Sequence, residues 1–471
     1  MGAAPLTPLR LPFAVQVEAR NSAANKDARI INGYVEKEPE GAVMMVKRPG
    51  IAVASNSTFF AAVATAGRGF WGRYVVSGTN PLAVNVYNTQ TGASMGTIVI
   101  NATGFIVTFA DYVGQGVNIF VNANANWYTF VGTTITVIAA PAANAATYVN
   151  GVVFLDGTLY MMTTDAIIYG SAINDPTTWP ALNRISLGTN AFAAGTGRAL
   201  FKQKAYVVAL TTNSTSVFYD AANASGSPLS PLPGGQSSIG CFDGNTVQCL
   251  GDDAMWLGQI DGGAFGVFLM RDLKISKVSN PAVDRLITFA GGVFRSAQMS
   301  TPGHRFYVLT IVGGLFSLVY DLETGYWYEW ITQDGVPLPY FNSMTVGIAY
   351  PSTFQHTNGR LYTADENRFL DDDGQFTTTI YTGNWDGGNR FKKTMEEFSI
   401  IGDQVASTLD ISYSEDDYQT FSTARTVNLA EDLPRLTNCG TFRRRAYRAV
   451  HSANTALRLV GGEMRLAPGT Q

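Results

Sequence analysis

An all-β fold, a roughly six-bladed β-propeller with a C-terminal β-sandwich domain, is the architecture this sequence predicts. Three observations carry it. Apolar residues alternate with period two along most of the chain, tight-turn dipeptides separate the alternating runs, and the strongest apolar openings recur about every 50 residues.

The alternating runs include 97–100, 117–121, 135–138, 306–310 and 409–413, where β-branched and aromatic residues dominate and side chains point to opposite faces in turn. Between such runs stand Asp156-Gly157, Asp243-Gly244, Asp261-Gly262-Gly263, Asp334-Gly335 and Asp373-Gly374, whose glycines accept the positive φ of a hairpin. Persistent helix-period stretches with caps are hard to find. The repeats open near Val152, Phe201, Ala254, Phe306 and Leu361, and further units fit 70–100 and 105–138. A large irregular β-sandwich is the competing architecture; the repeat spacing is what favours a propeller.

The texture changes near Tyr381. From Phe391 the chain becomes more charged and runs in long alternating strands to Leu466, a second domain of sandwich type. The expected organisation is therefore residues 1–50 as a segment packing on or completing the propeller, 51–380 as the propeller, and 381–471 as the sandwich. Residues 51–250 hold about a dozen charged side chains among many Thr, Asn, Ala, Gly and Val, which suits burial against neighbouring subunits.

Composition sets the outer bounds. The chain has 471 residues, 46% hydrophobic and 14% charged, enough apolar material for a large core and too much for intrinsic disorder. A net charge of -4 argues against a lysine- and arginine-driven grip on nucleic acid. Three cysteines, Cys241, Cys249 and Cys439, read as reduced fillers rather than a disulfide framework. The first residues lack a basic stretch followed by an apolar core, so assembly in a cytoplasm is expected. Apolar runs such as 105–110 and 149–155 are far shorter than the roughly 20 residues a membrane-spanning helix needs, and none is expected.

Motifs with catalytic mechanics are missing: there is no HExxH, GxSxG, GxxxxGK[ST] or strand-to-helix GxGxxG, and His304, His356 and His451 lie far apart. No catalytic residue, metal or cofactor is expected. Asp371-Asp372-Asp373-Gly374 fails the spacing of a calcium loop, which alternates its acidic ligands and ends on a bidentate Glu. It reads as a solvated hairpin tip, or alternatively as an acidic loop lining a channel. Ser414-Glu415-Asp416-Asp417-Tyr418-Gln419-Thr420-Phe421 looks like a degenerate Asp-box, S-x-D-x-G-x-T-W, in which Ser414 and Asp416 tie down a turn and an aromatic, here Phe421, fills the core beneath. Arg443, Arg444, Arg445 and Arg448 form the strongest basic cluster; phosphate contact is the alternative reading, and pairing with acidic groups across a subunit or partner interface is its expected use.

Three stretches belong together: residues 27–36 followed by Lys47-Arg48-Pro49-Gly50-Ile51; residues 238–258, then His304-Arg305-Phe306-Tyr307-Val308-Leu309 with Tyr320-Asp321-Leu322-Glu323-Thr324-Gly325-Tyr326-Trp327; and residues 411–416 through Phe442-Arg443-Arg444-Arg445. In that order they resemble the opening, the H-x-F-Y-V-L … YDL-x-T-G-x-W blade and the C-terminal run of the packaged-DNA stabilisation proteins of short-tailed bacteriophages, which form the tail hub or nozzle. Tyr34-Val35-Glu36 lacks the family's Pro, and the Asp-box Gly and Trp are Tyr418 and Phe421 here, which touches loop detail rather than architecture.

The resemblance implies a structural virion protein of the phage tail, a homohexameric ring below the portal and its adaptor. Such a ring retains packaged genome and passes double-stranded DNA at ejection without reading its sequence. A needle, plug or distal tail protein lies beneath and tailspikes or fibres alongside. Size is consistent with this. A compact chain of this length is about 60 Å across, so six in a ring leave a lumen of about 60 Å and three only about 9 Å, too narrow for a duplex about 20 Å wide. The alternatives from other classes are a propeller-type glycan-active enzyme, which needs paired carboxylates in a pocket, and a glycan-binding adhesin of a phage tail.

Overall fold

A computed structural model describes residues 9–18, 27–37, 41, 43–53, 148–187 and 195–468, except 261–262, 312–313, 315, 333–339, 347–349, 357–360 and 373. It also gives the backbone of strands between 66 and 138. The described residues are all-β apart from one α-helix, Pro281–Ala290, and a few short turns.

The strands fall into successive antiparallel sheets, seven among the described residues where roughly six blades are expected, and the marks at Phe306 and Leu361 fall on later strands of their sheets rather than on the opening ones. The first holds Ala66–Trp71, Tyr74–Asn80, Ala83–Asn88 and Ser94–Val99; the second holds Asn118–Ala123, Asn126–Val131 and Thr134–Ile138. The third meanders through Tyr148–Leu155, Thr158–Thr163, Ile167–Gly170 and Arg184–Ser186, and the fourth through Gly197–Gln203, Tyr206–Thr211, Thr215–Asp220 and Leu229–Ser237. The fifth is centred on Asp253–Ile260 and Ala264–Arg271. The sixth holds Phe294–Thr301, His304–Ile311, Ser317–Asp321 and Trp327–Trp330. A seventh, Tyr340–Val346, Tyr350–His356 and Leu361–Asp365, takes its outer strand from the N-terminal segment: Gly50–Val53 pairs antiparallel with Leu361–Asp365. Tyr340–Val346 also lies against Phe294–Thr301 and Ala66–Trp71, so the seventh sheet bridges the sixth and the first. The fold is a β-propeller joined to a C-terminal β-sandwich.

Local chemistry explains the hairpins. Asp156 and Gly157 both take positive φ between Leu155 and Thr158, the conformation a two-residue hairpin needs. Lys204-Ala205 and Asp272-Leu273 serve the same role one and two sheets on, with Lys204, Asp272 and Leu273 held at positive φ. Asp243-Gly244 behaves differently from the hairpin its composition suggests. Asp243 caps a short 3-10 turn, Gly244–Thr246, its carboxylate accepting from the Asn245 N–H at 2.9 Å. The Asp261-Gly262 and Asp334-Gly335 pairs and Asp373 lie outside the described residues.

Period two becomes radial stacking. In the fourth sheet Leu200, Val207 and Ala209 face the third, packing on Tyr160, Met162 and Ile168, while Phe201, Val208 and Leu210 face the fifth, packing on Ala254, Trp256 and Phe268. The fifth sheet then turns Met255 and Leu257 toward Tyr307, Leu309 and Leu318 of the sixth. A central blade strand is therefore buried on both faces, and Thr158–Thr163 has no exposed residue at all.

The N-terminal strands serve both parts. Arg29–Ile31 meets Trp327–Trp330 of the sixth blade in parallel and Thr378–Tyr381 of the C-terminal region antiparallel, so one sheet runs from blade to sandwich through Ala446–His451, Thr408–Ser414 and Arg425–Asn428. Leu9–Pro12 and Val43–Lys47 pair with Arg458–Pro468, and Gly33–Lys37 pairs with Val43–Lys47; these strands belong to the second sandwich sheet, built around Lys393–Gly402. Between the two sheets Phe398 stacks on Tyr447 at 4.7 Å amid Met395, Ile400, Ile411, Leu459 and Met464.

Candidate functional site

The residue that ties these pieces together is Arg48, fully buried where the N-terminal segment, the sixth blade and the Asp371 turn meet. All five of its N–H donors are taken. Nε donates to Asn32 Oδ1 at 3.0 Å, Nη1 to Pro49 O at 3.0 Å and Asp371 Oδ1 at 2.8 Å, and Nη2 to Ile331 O at 3.1 Å and to Asp371 Oδ2. The guanidinium lies 3.8 Å over the Phe376 ring. Asp371 also accepts from the Ile51 N–H at 3.3 Å. The backbone must come very close here: Gly50 N–H donates to Arg368 O at 2.6 Å, and a Cβ at Gly50 would collide with the Leu370 backbone.

This corrects the reading of the acidic run. Asp371 is buried and bound to Arg48, so it offers no carboxylate to a channel. Asp372 is half-buried with φ 55° and donates its N–H to Ile51 O at 2.7 Å, while Asp373 lies outside the described residues. The charges that look like a solvated tip belong, for Asp371, to the joint that fixes the closing strand. Arg48 itself was visible only as part of Lys47-Arg48-Pro49-Gly50; nothing local marks it as buried, since apart from the Pro49 carbonyl its hydrogen-bond partners are 16 to 323 residues away.

Beside this joint a cleft of about 260 Å³ is lined by Tyr34, Glu36, Lys47, Glu366, Phe369 and Arg458, among others. Lys47 donates to Ala453 O at 2.7 Å, and burial together with Arg48 lowers its pKa to about 8. Arg458 pairs with Glu36 at 2.9 Å across it.

The histidines remain separate. His304 Nδ1 is 2.8 Å from Asp321 Oδ2, a buried contact within the sixth blade. His451 Nε2 stands 3.0 Å from Ser407 Oγ, but among the described residues no acceptor orients its Nδ1, as a hydroxyl nucleophile's base requires. Desolvation, with Lys47 adding to it, lowers its pKa to about 4, so the ring is neutral at pH 7. The side chain of His356 lies outside the described residues. No group of three or more His, Cys, Asp or Glu among the described residues is placed to hold a metal ion.

The Asp-box-like hairpin closes by its side chains. Ser414 Oγ donates to Asp416 Oδ1 at 2.8 Å and accepts from the Tyr418 N–H at 2.9 Å, and Asp416 accepts from the N–H groups of Gln419 and Thr420 and from Thr420 Oγ1. These bonds lower the Asp416 pKa to about 2. The aromatic beneath the turn is Tyr418, buried at φ 66° with its hydroxyl donating to Thr382 O at 2.6 Å. Phe421 is only half-buried, against Tyr381 and under the Arg448 guanidinium.

The basic cluster divides. Arg445 points inward, 1% exposed, between the Tyr413 and Phe442 rings, with Nη2 2.6 Å from Glu415 and Nη1 donating to Cys439 O at 2.7 Å. Arg448 donates to Ser412 Oγ at 3.1 Å. Arg443 and Arg444, the neighbours of Arg445 in sequence, line a second cleft, of about 410 Å³, together with Arg390, Lys392, Phe442 and Glu415. Arg445 is therefore withdrawn from any interface; Arg443 and Arg444 are not.

No helix among the described residues is long and apolar enough to cross a membrane. No curated protein matches the chain. Among solved structures, BamB from Moraxella catarrhalis aligns with a TM-score of 0.39 at 13% identity over 76% of this chain and 100% of its own. Raptor from Chaetomium thermophilum aligns with a TM-score of 0.44 at 9% identity over 68% of this chain and 29% of its own. Neither bears on function. Residues 35–320, well over half of the chain, match the family model described as Bacteriophage P22 Gp10, beta-propeller. That span runs from the Gly33–Lys37 strand to the sixth blade, so the sequence match and the sheet order agree, and the chain belongs to the packaged-DNA stabilisation family of bacteriophages.

Proposed function

We propose that this chain is a structural subunit of the phage tail: a hub or nozzle ring, homohexameric, that sits below the portal-adaptor, retains packaged genome and becomes the conduit for its ejection. The family match over residues 35–320 is the observation that carries this reading. Two physical features support it. A propeller's own central channel is too tight for a duplex about 20 Å wide, so DNA would pass between subunits rather than through a propeller. The sparse charge of residues 51–250 suits a wall along which DNA slides, because each phosphate contact adds counterion-release affinity that ejection would have to break. Retention then belongs to a plug or distal tail protein beneath the ring, with tailspikes or fibres alongside.

The test is direct. Images of purified protein viewed down its axis should show a six-fold annulus, and duplex DNA should bind feebly at physiological salt with a shallow salt slope. A monomeric particle would end the ring reading; tight binding with a steep slope would end the sliding wall. A labelled oligosaccharide panel run beside them should stay uncleaved, and turnover would favour a glycan-active enzyme.

A further inference from the structure

The sandwich carries opposite charge at the two ends of one strand. At the Lys393 end lies the 410 Å³ cleft of Arg390, Lys392, Arg443 and Arg444. Among the described residues the one carboxylate in its lining, Glu415, is already neutralised by Arg445. Arg444 reaches Asp417 only at 3.8 Å, Arg390 reaches Asp386 at 3.4 Å, and no carboxylate among the described residues pairs with Lys392 or Arg443. Phe391, within the same segment, is 57% exposed. At the Gly402 end the loop Glu431-Asp432-Leu433 projects, with Leu433 50% exposed. Among the described residues its carboxylates meet only neutral donors: Gln404 Nε2 to Asp432 at 2.9 Å and Asn428 Nδ2 to Glu431 at 3.5 Å.

Register fixes the two features apart. Lys393 and Thr394 pair with Phe442 and Thr441, whereas the Ile400 N–H donates to Pro434 O at 2.8 Å. Seven residues of strand separate them, about 23 Å, so they cannot meet within one copy. We propose that they meet between copies: the 431–433 tip of one subunit seats in the Arg443–Arg444 cleft of the next, its carboxylates on the guanidinium forks and Leu433 against the exposed Phe391. A knob and a socket at opposite ends of a rigid element make a head-to-tail contact, the type that closes rings. The apolar half of the match favours a protein occupant over a phosphate backbone, which has no side chain for Phe391 to cover. The inference rests on the ring reading and names the surfaces that would build it.

Charge reversal tests it on the full chain. In low salt, R443E/R444E and E431K/D432K should each raise the concentration for half-assembly about tenfold or more by mass photometry, with unchanged circular dichroism. Mixing the two variants should restore assembly, because each then presents its like-charged tip and cleft to the opposite sign. The fourfold variant should assemble alone. Assembled wild type with indifferent variants, or reversal without rescue on mixing, would overturn the contact and leave the ring standing. Wild type monomeric at every concentration would remove both. Unchanged assembly with lost duplex binding in R443E/R444E would reassign the cleft to nucleic acid.

Discussion

Residues 51–250 carry 12 charged side chains in 200 positions, and residues 381–471 carry 22 in 91. Both regions are β-sheet, yet they hold together differently. The third to fifth blades rest on apolar layers in which alternate residues pack on alternate neighbours, with Trp256 fully buried between sheets. The sandwich and its joint to the propeller rest as well on arginines laid over aromatic rings and tied to carboxylates: Arg29 over Tyr381, Arg48 over Phe376, Arg445 between Tyr413 and Phe442. Neighbouring blades need little beyond shape, because each meets the next through an apolar layer. A joint made once, between segments far apart in sequence, needs directional contacts that reject other registers.

The sharpest way to break this comparison is Arg48→Ala, which strands the buried Asp371 carboxylate and frees the closing strand. It should cost about 5 kcal/mol in denaturant unfolding, at the upper end for a severed buried pair. If D371N brought R48A back to near wild type, the penalty would be confirmed as the unpaired charge. Trp256→Ala should cost about 4 kcal/mol through the cavity it leaves, with no dependence on salt or pH; a salt-sensitive loss would erase the contrast.

The joint should also respond to pH in two opposite senses. Burial raises the Glu329 pKa to about 7, Arg29 pulling the other way from 3.5 Å, so its contribution is complete below about pH 4.5 and is lost as pH rises through 7. His451, lowered to about 4, contributes above about pH 6.5 and loses that as pH falls toward 4. Glu329→Gln should flatten the neutral limb of a stability profile and His451→Asn the acid limb; either variant flattening the other limb would refute the assignment. The smallest effect belongs to Asp416→Asn. Its carboxylate, held near 2, stabilises the exposed hairpin above about pH 4 and stops doing so as pH falls through 2, so the variant should lower Tm slightly at pH 7 and leave it unchanged at pH 2.

Much of this contrast was legible beforehand. The strands at Val152, Phe201, Ala254 and Phe306 and the Asp156-Gly157 turn follow from short-range rules, since a strand's alternation and a hairpin's positive φ are written in neighbouring residues, whereas the strand on which each sheet opens does not: the sixth opens at Phe294, not Phe306. The Asp-box turn was readable for the same reason, except that Tyr418 and not Phe421 fills the space beneath it. The division of the Arg443–Arg448 cluster was half readable: alternation says that neighbours face opposite ways, but not which way is in.

The chain by itself determined its strands, its Asp156-Gly157 turn and its family, because each depends on residues within one repeat or on a pattern spread along the sequence. Tertiary structure alone decided that Asp371 is the internal partner of Arg48, that residues 29–31 splice blade to sandwich, and that a basic cleft and an acidic tip stand at opposite ends of one strand. Those are pairings across tens to hundreds of residues. A charged side chain looks the same in sequence whether its counter-ion is a solvent ion, a distant carboxylate or another subunit, and only the folded chain fixes which it meets.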